Sequence, residues 1–143
     1  MFRKLFAAEK AIKKAELLIT ALGIYHAEIN GQRVSNFVLA PGWTSYDHRL
    51  QVQTYDVKDL LEEENDLRIL VGRGWFRSPM PGWMDSEDKK RRLNQPCGVI
   101  ASLHICYADG TEETIVTDES WQWAKSRILF SEISWVEPGK YTF

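Results

Sequence analysis

The residues of this chain best suited to chemistry are gathered between Gly72 and Arg92. Gly72-Arg73-Gly74-Trp75-Phe76-Arg77 is followed by Pro81-Gly82-Trp83 and then by the charged run from Asp85 to Arg92. An indole offers an apolar plate to the C–H face of a sugar ring, and guanidinium and carboxylate groups hydrogen-bond to vicinal hydroxyls. On that chemistry the candidate carbohydrate-contacting residues are Trp75 and Trp83 as stacking plates, Arg73 and Arg77 as donors, and Asp85 and Asp88 as acceptors. Core packing competes for the same indoles. Trp75 directly follows an apolar strand and suits a core plug, whereas Trp83 sits inside a polar loop.

Other chemistries have weaker support. Asp47 and His48 are adjacent and could form a base with its orienter, but no Gly-x-Ser-x-Gly elbow or activated cysteine accompanies them. The 20 acidic residues include many carboxylate pairs, yet adjacency in sequence does not set the spacing that glycoside hydrolysis needs. Independent catalysis is therefore not expected. His26 and His104 fall on strand faces opposite the apolar one, where a hydrogen-bonded imidazole is the ordinary outcome. Lys89-Lys90-Arg91-Arg92 follows three acids in a chain of net charge -2, which reads as a solvated loop and not as a nucleic-acid patch. Gly72-Arg73-Gly74 lacks the third glycine and the helix of a pyrophosphate cradle. Cys97 and Cys106 are too few for a disulfide framework and form no zinc motif, so both are expected to be thiols in a reducing compartment. No cofactor requirement, nucleic-acid partner or membrane partner is expected.

The elements that would position these residues are strands. The chain has 143 residues, 44% of them hydrophobic and 27% charged, which fits one soluble domain spanning 1–143 that buries about 70% of its unfolded surface. Tyr25, Ala27 and Ile29 alternate with polar neighbours, and Asn30-Gly31 then supplies the positive φ values of a type I′ hairpin. Val99, Ala101, Leu103, Ile105 and Tyr107 alternate likewise before Asp109-Gly110 turns the chain into Glu112 to Val116. Gln51 to Val57 and Leu67 to Val71 read as further strands, Trp121 and Trp123 share one face of another, and Ile128 and Phe130 start a last one. The one helical stretch is Val57 to Glu64, where Asp56 can cap a single turn before Asn65 breaks it and Glu62 to Glu64 face solvent. Strands spaced this way give an all-β sandwich or barrel with little helix. The long segment from Gly72 to Pro96 has no period and is expected to be a functional loop at one rim, reached by a sharp turn at the glycines flanking Arg73.

The order of segments resembles the N-terminal β-sandwich domain of bacterial α-L-rhamnosidases. The resemblance runs through Thr20 to Tyr25, Ile29 to Val34, Leu39 to Tyr46, Gln53 to Val57 with Asp59-Leu60-Leu61, Gly72 to Phe76, Tyr107 to Gly110, Thr117 to Trp121 and Ile128 to Ile133. It implies a jelly-roll β-sandwich similar to galactose-binding domains, placed ahead of a catalytic (α/α)6 barrel and helping to recognise rhamnose-containing saccharide. The barrel and its catalytic carboxylates are expected to lie outside this chain. The resemblance also places Trp43 and Trp121 at framework positions. Some relatives bind L-rhamnose with calcium. Here Arg73 stands where the family usually carries Asp or Asn, so that contact does not carry over to it, and Phe76 and Ser78 replace a Tyr and a Gly. Ser134-Trp135-Val136-Glu137-Pro138 also departs from the family pattern, which makes Trp135 a candidate interface residue. The expected role is a non-catalytic accessory domain; the alternative is a structural module that packs on the barrel or a partner chain without binding sugar. A cytoplasmic location is the default in the absence of an export signal.

Overall fold

The computed structural model describes residues 1–78, 93–126 and 128. Two antiparallel sheets enclose one core. The first is ordered β4-β3-β6-β1-β9, from β4 (Gln32–Arg33), β3 (Ile24–Ile29), β6 (Glu64–Gly72), β1 (Phe2–Ala7) and β9 (Gln122–Trp123). The second is ordered β5-β2-β7-β8, from β5 (Gln53–Asp56), β2 (Ile12–Leu22), β7 (Gly98–Tyr107) and β8 (Glu112–Val116). The architecture is the expected β-sandwich, and helix is nearly absent among the described residues.

Period-two patterning explains the layering. Ala15, Leu17, Ile19 and Ala21 of β2 and Ala101, Leu103, Ile105 and Tyr107 of β7 are buried, and they meet Tyr25, Ala27 and Ile29 of β3 and Leu67 and Ile69 of β6. A slip of one residue would send each set to solvent, so the pairing Leu17↔Leu103 is pinned by burial on one face. The first hairpin forms as expected: Ile29 pairs Gln32 across Asn30 (φ 53) and Gly31 (φ 77). The second is a three-residue loop. Tyr107 N–H donates to Thr111 O, Gly110 N–H donates back to Tyr107 O, and Gly110 takes φ 85.

Two expectations are corrected. The single turn expected within Val57 to Glu64 is present, but as a 3-10 turn confined to Lys58–Leu60, with the Asp56 carboxylate accepting from Lys58 N–H at 3.1 Å. The sheets claim both ends of that segment: Val57 N–H donates to Ala15 O, Ala8 N–H donates to Glu63 O, and Glu64 pairs Ala7. Glu62, Glu63 and Glu64 do face solvent. Trp121 and Trp123 differ in environment. Trp121 is buried and donates from Nε1 to Val116 O at 2.9 Å, whereas Trp123, beside Phe2 at the sheet edge, lies beyond the core and is 72% exposed.

A polar clasp joins the 3-10 turn to the first sheet. Asn65 is buried, and its Oδ1 accepts from Glu62 N–H and Asn30 Nδ2 while its Nδ2 donates to Glu62 O. Asn30 Nδ2 also donates to Leu60 O, and Asn30 Oδ1 accepts from Asp66 N–H. Each amide is paired, as burial requires. Neither Cys97 nor Cys106 forms a disulfide. No helix among the described residues is long and apolar enough to cross a membrane.

Candidate functional site

Strand β6 ends at Gly72, and after Arg73 the chain winds into α1, the one-turn helix Gly74–Arg77. Two glycines fix this corner. Gly74 takes φ 51, and a Cβ there would lie 2.5 Å from Ile24 Cγ2 and 2.9 Å from Ile24 N. Gly23, between β2 and β3, takes φ 132, and a Cβ there would lie 2.2 Å from Gly72 O. The β2–β3 corner and the β6–α1 corner thus interlock at backbone contact, a distance that only glycine permits. Arg73 and Gly74 lead off this joint at one end of the sandwich, where the sequence placed a rim.

The structure brings three of the six predicted contact residues into that turn. Arg73 is exposed, and Trp75 and Arg77 are half-buried. Trp75 is therefore neither a complete core plug nor a free plate. Phe76 is the buried member, and it meets Tyr46 edge to face at 5.2 Å between ring centroids. That contact ties α1 to the loop 41–52. Arg77 is committed to structure: its Nη2 donates to Leu93 O at 2.7 Å, joining the two ends of the 78–93 stretch, and its buried Nε has no hydrogen-bond partner among the described residues. Arg73 is the predicted donor of the three that is exposed. Trp83, Asp85 and Asp88 lie outside the described residues, as do Phe130 and Trp135.

Other sequence readings also find places. Trp43, expected as framework, is 48% exposed in the loop whose Tyr46 touches Phe76. Its position just after the positive-φ Gly42 and before a turn at Ser45 lifts the indole off the core. His26 bonds Glu28 at 2.8 Å, and His104 bonds Ser102 and Thr114, so both imidazoles are satisfied on outer sheet faces. Asp47 and His48 lie on an exposed turn. Among the described residues no group of three or more His, Cys, Asp or Glu side chains is placed to hold a metal ion.

A second surface was not singled out from the sequence. On the outer face of the first sheet, Ile24, Leu70, Phe37, Val38, Leu39 and Ile128 line an apolar groove of about 300 Å³, with Arg33 at its margin. Phe37, Val38 and Ile128 are each more than half exposed. The signal was available as the run Phe37-Val38-Leu39 in a loop, which no strand or helix period explained.

Two antiparallel sheets around one core place the chain in the class of β-sandwich domains. The chain belongs to the family described as the α-L-rhamnosidase N-terminal domain, which matches residues 10–138. An α-L-rhamnosidase of Formosa agariphila is 34% identical over 126 residues, covering 84% of this chain and 13% of that protein. The structure is similar to that of the Streptomyces avermitilis α-L-rhamnosidase complexed with L-rhamnose, with a TM-score of 0.75, 36% identity, and coverage of 84% of this chain and 11% of that one. It is also similar to a lectin from Pleurotus ostreatus in complex with GalNAc, with a TM-score of 0.51, 27% identity, and coverage of 84% and 28%. The chain thus spans only about an eighth of the length of the α-L-rhamnosidase relatives it matches.

Proposed function

We propose that this domain is a non-catalytic accessory module of an α-L-rhamnosidase that recognises or positions rhamnose-containing carbohydrate. The observation that carries the reading is the α1 corner. It holds exposed Arg73 and half-buried Trp75 on a turn locked by Gly74, next to the loop that bears exposed Trp43. An indole and a guanidinium carried on a fixed backbone turn suit a sugar, because one stacks on the C–H face and the other donates to hydroxyls. Membership of the family and likeness to a lectin solved with GalNAc support the same direction. Trp83, Asp85 and Asp88, from the sequence segment that follows, are proposed as further contacts with the sugar. No cofactor is needed for this role, and calcium is left as a variable of the test.

Calorimetry with L-rhamnose and a rhamnosylated oligosaccharide, with and without calcium and with tryptophan fluorescence followed in parallel, tests it. A saturable heat lost in Trp83→Ala at unchanged stability is the expected outcome. Silence in both buffers at high sugar concentration refutes it and favours the second reading, a module that packs against a catalytic domain without binding sugar. That second reading draws on one observation, the exposed apolar groove on the first sheet.

A further inference from the structure

The apolar groove on the outer face of the first sheet has one wall that the backbone holds in place. Leu39 takes φ 58, a left-handed conformation that a bulky L side chain rarely adopts. Gly42 N–H donates to Leu39 O at 3.0 Å and Tyr25 N–H donates to Ala40 O at 2.7 Å, which anchors the loop from its C-terminal side. Phe37 N–H donates to Ser35 Oγ at 2.9 Å and anchors it from the other. Held this way, the loop keeps Phe37 (56% exposed) and Val38 (68%) in solvent beside Ile24 and Leu70 of the sheet. Backbone strain of this kind concentrates at ligand-binding elements, and here it accompanies apolar side chains set in water.

We infer that this groove binds a small aryl carboxylate. Its volume of about 300 Å³ stands at the lower end of small-molecule sites and suits one aromatic ring with a short acid. Phe37 offers a ring to stack on, and Ile24, Leu70 and Val38 supply apolar contact. Charge at the margin selects an anion. No carboxylate is among the described lining residues, His26 is engaged with Glu28 at 2.8 Å, and the Ser126 hydroxyl is engaged with Ile128. Arg33 is exposed, and its guanidinium makes no hydrogen bond or ion pair with any described residue. Glu28 lies opposite Arg33 in the strand register, yet its Oε1 is the group that His26 engages. The guanidinium fork matches a planar carboxylate with two parallel hydrogen bonds, a match that a neutral ligand lacks. Size argues against a macromolecular partner. Twelve described residues line the groove, whereas a stable protein interface uses about 20–30 residues a side. The site uses neither Arg73 nor Trp75 and is independent of the sugar reading.

The test titrates trans-cinnamate into the full chain and follows the isoleucine, leucine and valine methyl resonances by heteronuclear NMR, with cinnamyl alcohol as the uncharged analogue. The expected result is saturable shifts of the Ile24, Leu70 and Val38 methyls, with cinnamate bound about tenfold more tightly than the alcohol. Arg33→Ala, at an exposed position, should lower the cinnamate affinity about tenfold and leave the alcohol unchanged, at wild-type Tm. Val38→Asp, at a largely exposed position, should weaken both ligands. The absence of any saturable shift at millimolar cinnamate overturns the proposal. Equal affinity for the acid and the alcohol overturns it too, as does an Arg33→Ala protein that binds cinnamate like the wild type. Shifts confined to other methyls, or a loss in Arg73→Ala that matches the loss in Arg33→Ala, place the binding elsewhere and also refute it. A concentration-dependent mass that Val38→Asp abolishes assigns the groove to a second copy of the chain, against the proposal.

Discussion

Replacing Gly74 by alanine tests the corner on which the proposed site depends. The residue takes φ 51, where an L side chain costs about 1–2 kcal/mol. Its Cβ would also lie 2.5 Å from Ile24 Cγ2 and 2.9 Å from Ile24 N, and the second of these is backbone that cannot rotate away. Overpacking of this kind costs about 1–3 kcal/mol more, so Gly74→Ala should lose about 2–5 kcal/mol in total. Gly110 supplies the control. It takes φ 85 in the β7–β8 loop with nothing within 4 Å of the place an added methyl would occupy, so Gly110→Ala should lose only the conformational part, about 1–2 kcal/mol. At roughly 4 °C per kcal/mol for a domain of this size, the two variants should differ in Tm by about 4–12 °C. Urea titration with unchanged m-values would establish that the difference is one of native stability. Equal losses in the two alanine variants would refute the claim that the β2–β3 and β6–α1 corners meet at backbone contact, and with it the fixed turn that carries Arg73 and Trp75.

Three further outcomes rest on the same structure. Asn65→Ala removes a buried amide and leaves Glu62 N–H and Asn30 Nδ2 each short of a partner, so urea unfolding should show a loss of about 3 kcal/mol. Hydrogen bonding from Arg3, and then from Arg68, holds the Asp66 carboxyl below the usual carboxylate range. A depressed native pKa adds stability that is complete above about pH 4 and is lost as pH falls through the native value, so Asp66→Asn should flatten the stability profile on the acid side; an unchanged slope would reject the linkage. Arg73→Ala, at an exposed position, should reduce the heat of rhamnoside binding, and undiminished heat would remove Arg73 from the site.

The sandwich was legible wherever one face of a strand carries an unbroken apolar set. Strand β7 alternates from Val99 to Tyr107, and Asn30-Gly31 marks the first hairpin, because both signals are local. Strand β1 was not legible. Phe2, Lys4 and Phe6 share a face, and the lysine interrupts the apolar set; its ammonium reaches Ser120 Oγ, a partner 116 residues away. The turn expected after Asp56 is confined for a similar reason, since Ala15 and Ala8 compete for the backbone of Val57 and Glu63 across the sandwich. At the site, composition pointed to Arg73, Trp75 and Arg77. It could not divide them into an exposed donor, a half-buried ring and an arginine engaged with Leu93 O, because that division is made by Tyr46 and Ile24 from other elements. Trp43 was assigned to the framework on a family pattern, and its exposure arises from a loop whose path no local period encodes.

Strand β1, at the very start of the chain, is an interior strand of its sheet. Phe2–Ala7 lies between β6 and β9, pairing Phe2 with Ile69 on one side and with Trp123 on the other, while Ala124 N–H donates to Met1 O. Within this domain β1 is synthesised before both of its partners and waits through some sixty residues for one neighbour and about 120 for the next. During that interval its edges are open and its two phenylalanines lack their core, which makes nascent-chain aggregation the hazard of this topology. Assembly of the first sheet is in effect a late event that draws together residues 2 to 123, even though its hairpin can close early and locally.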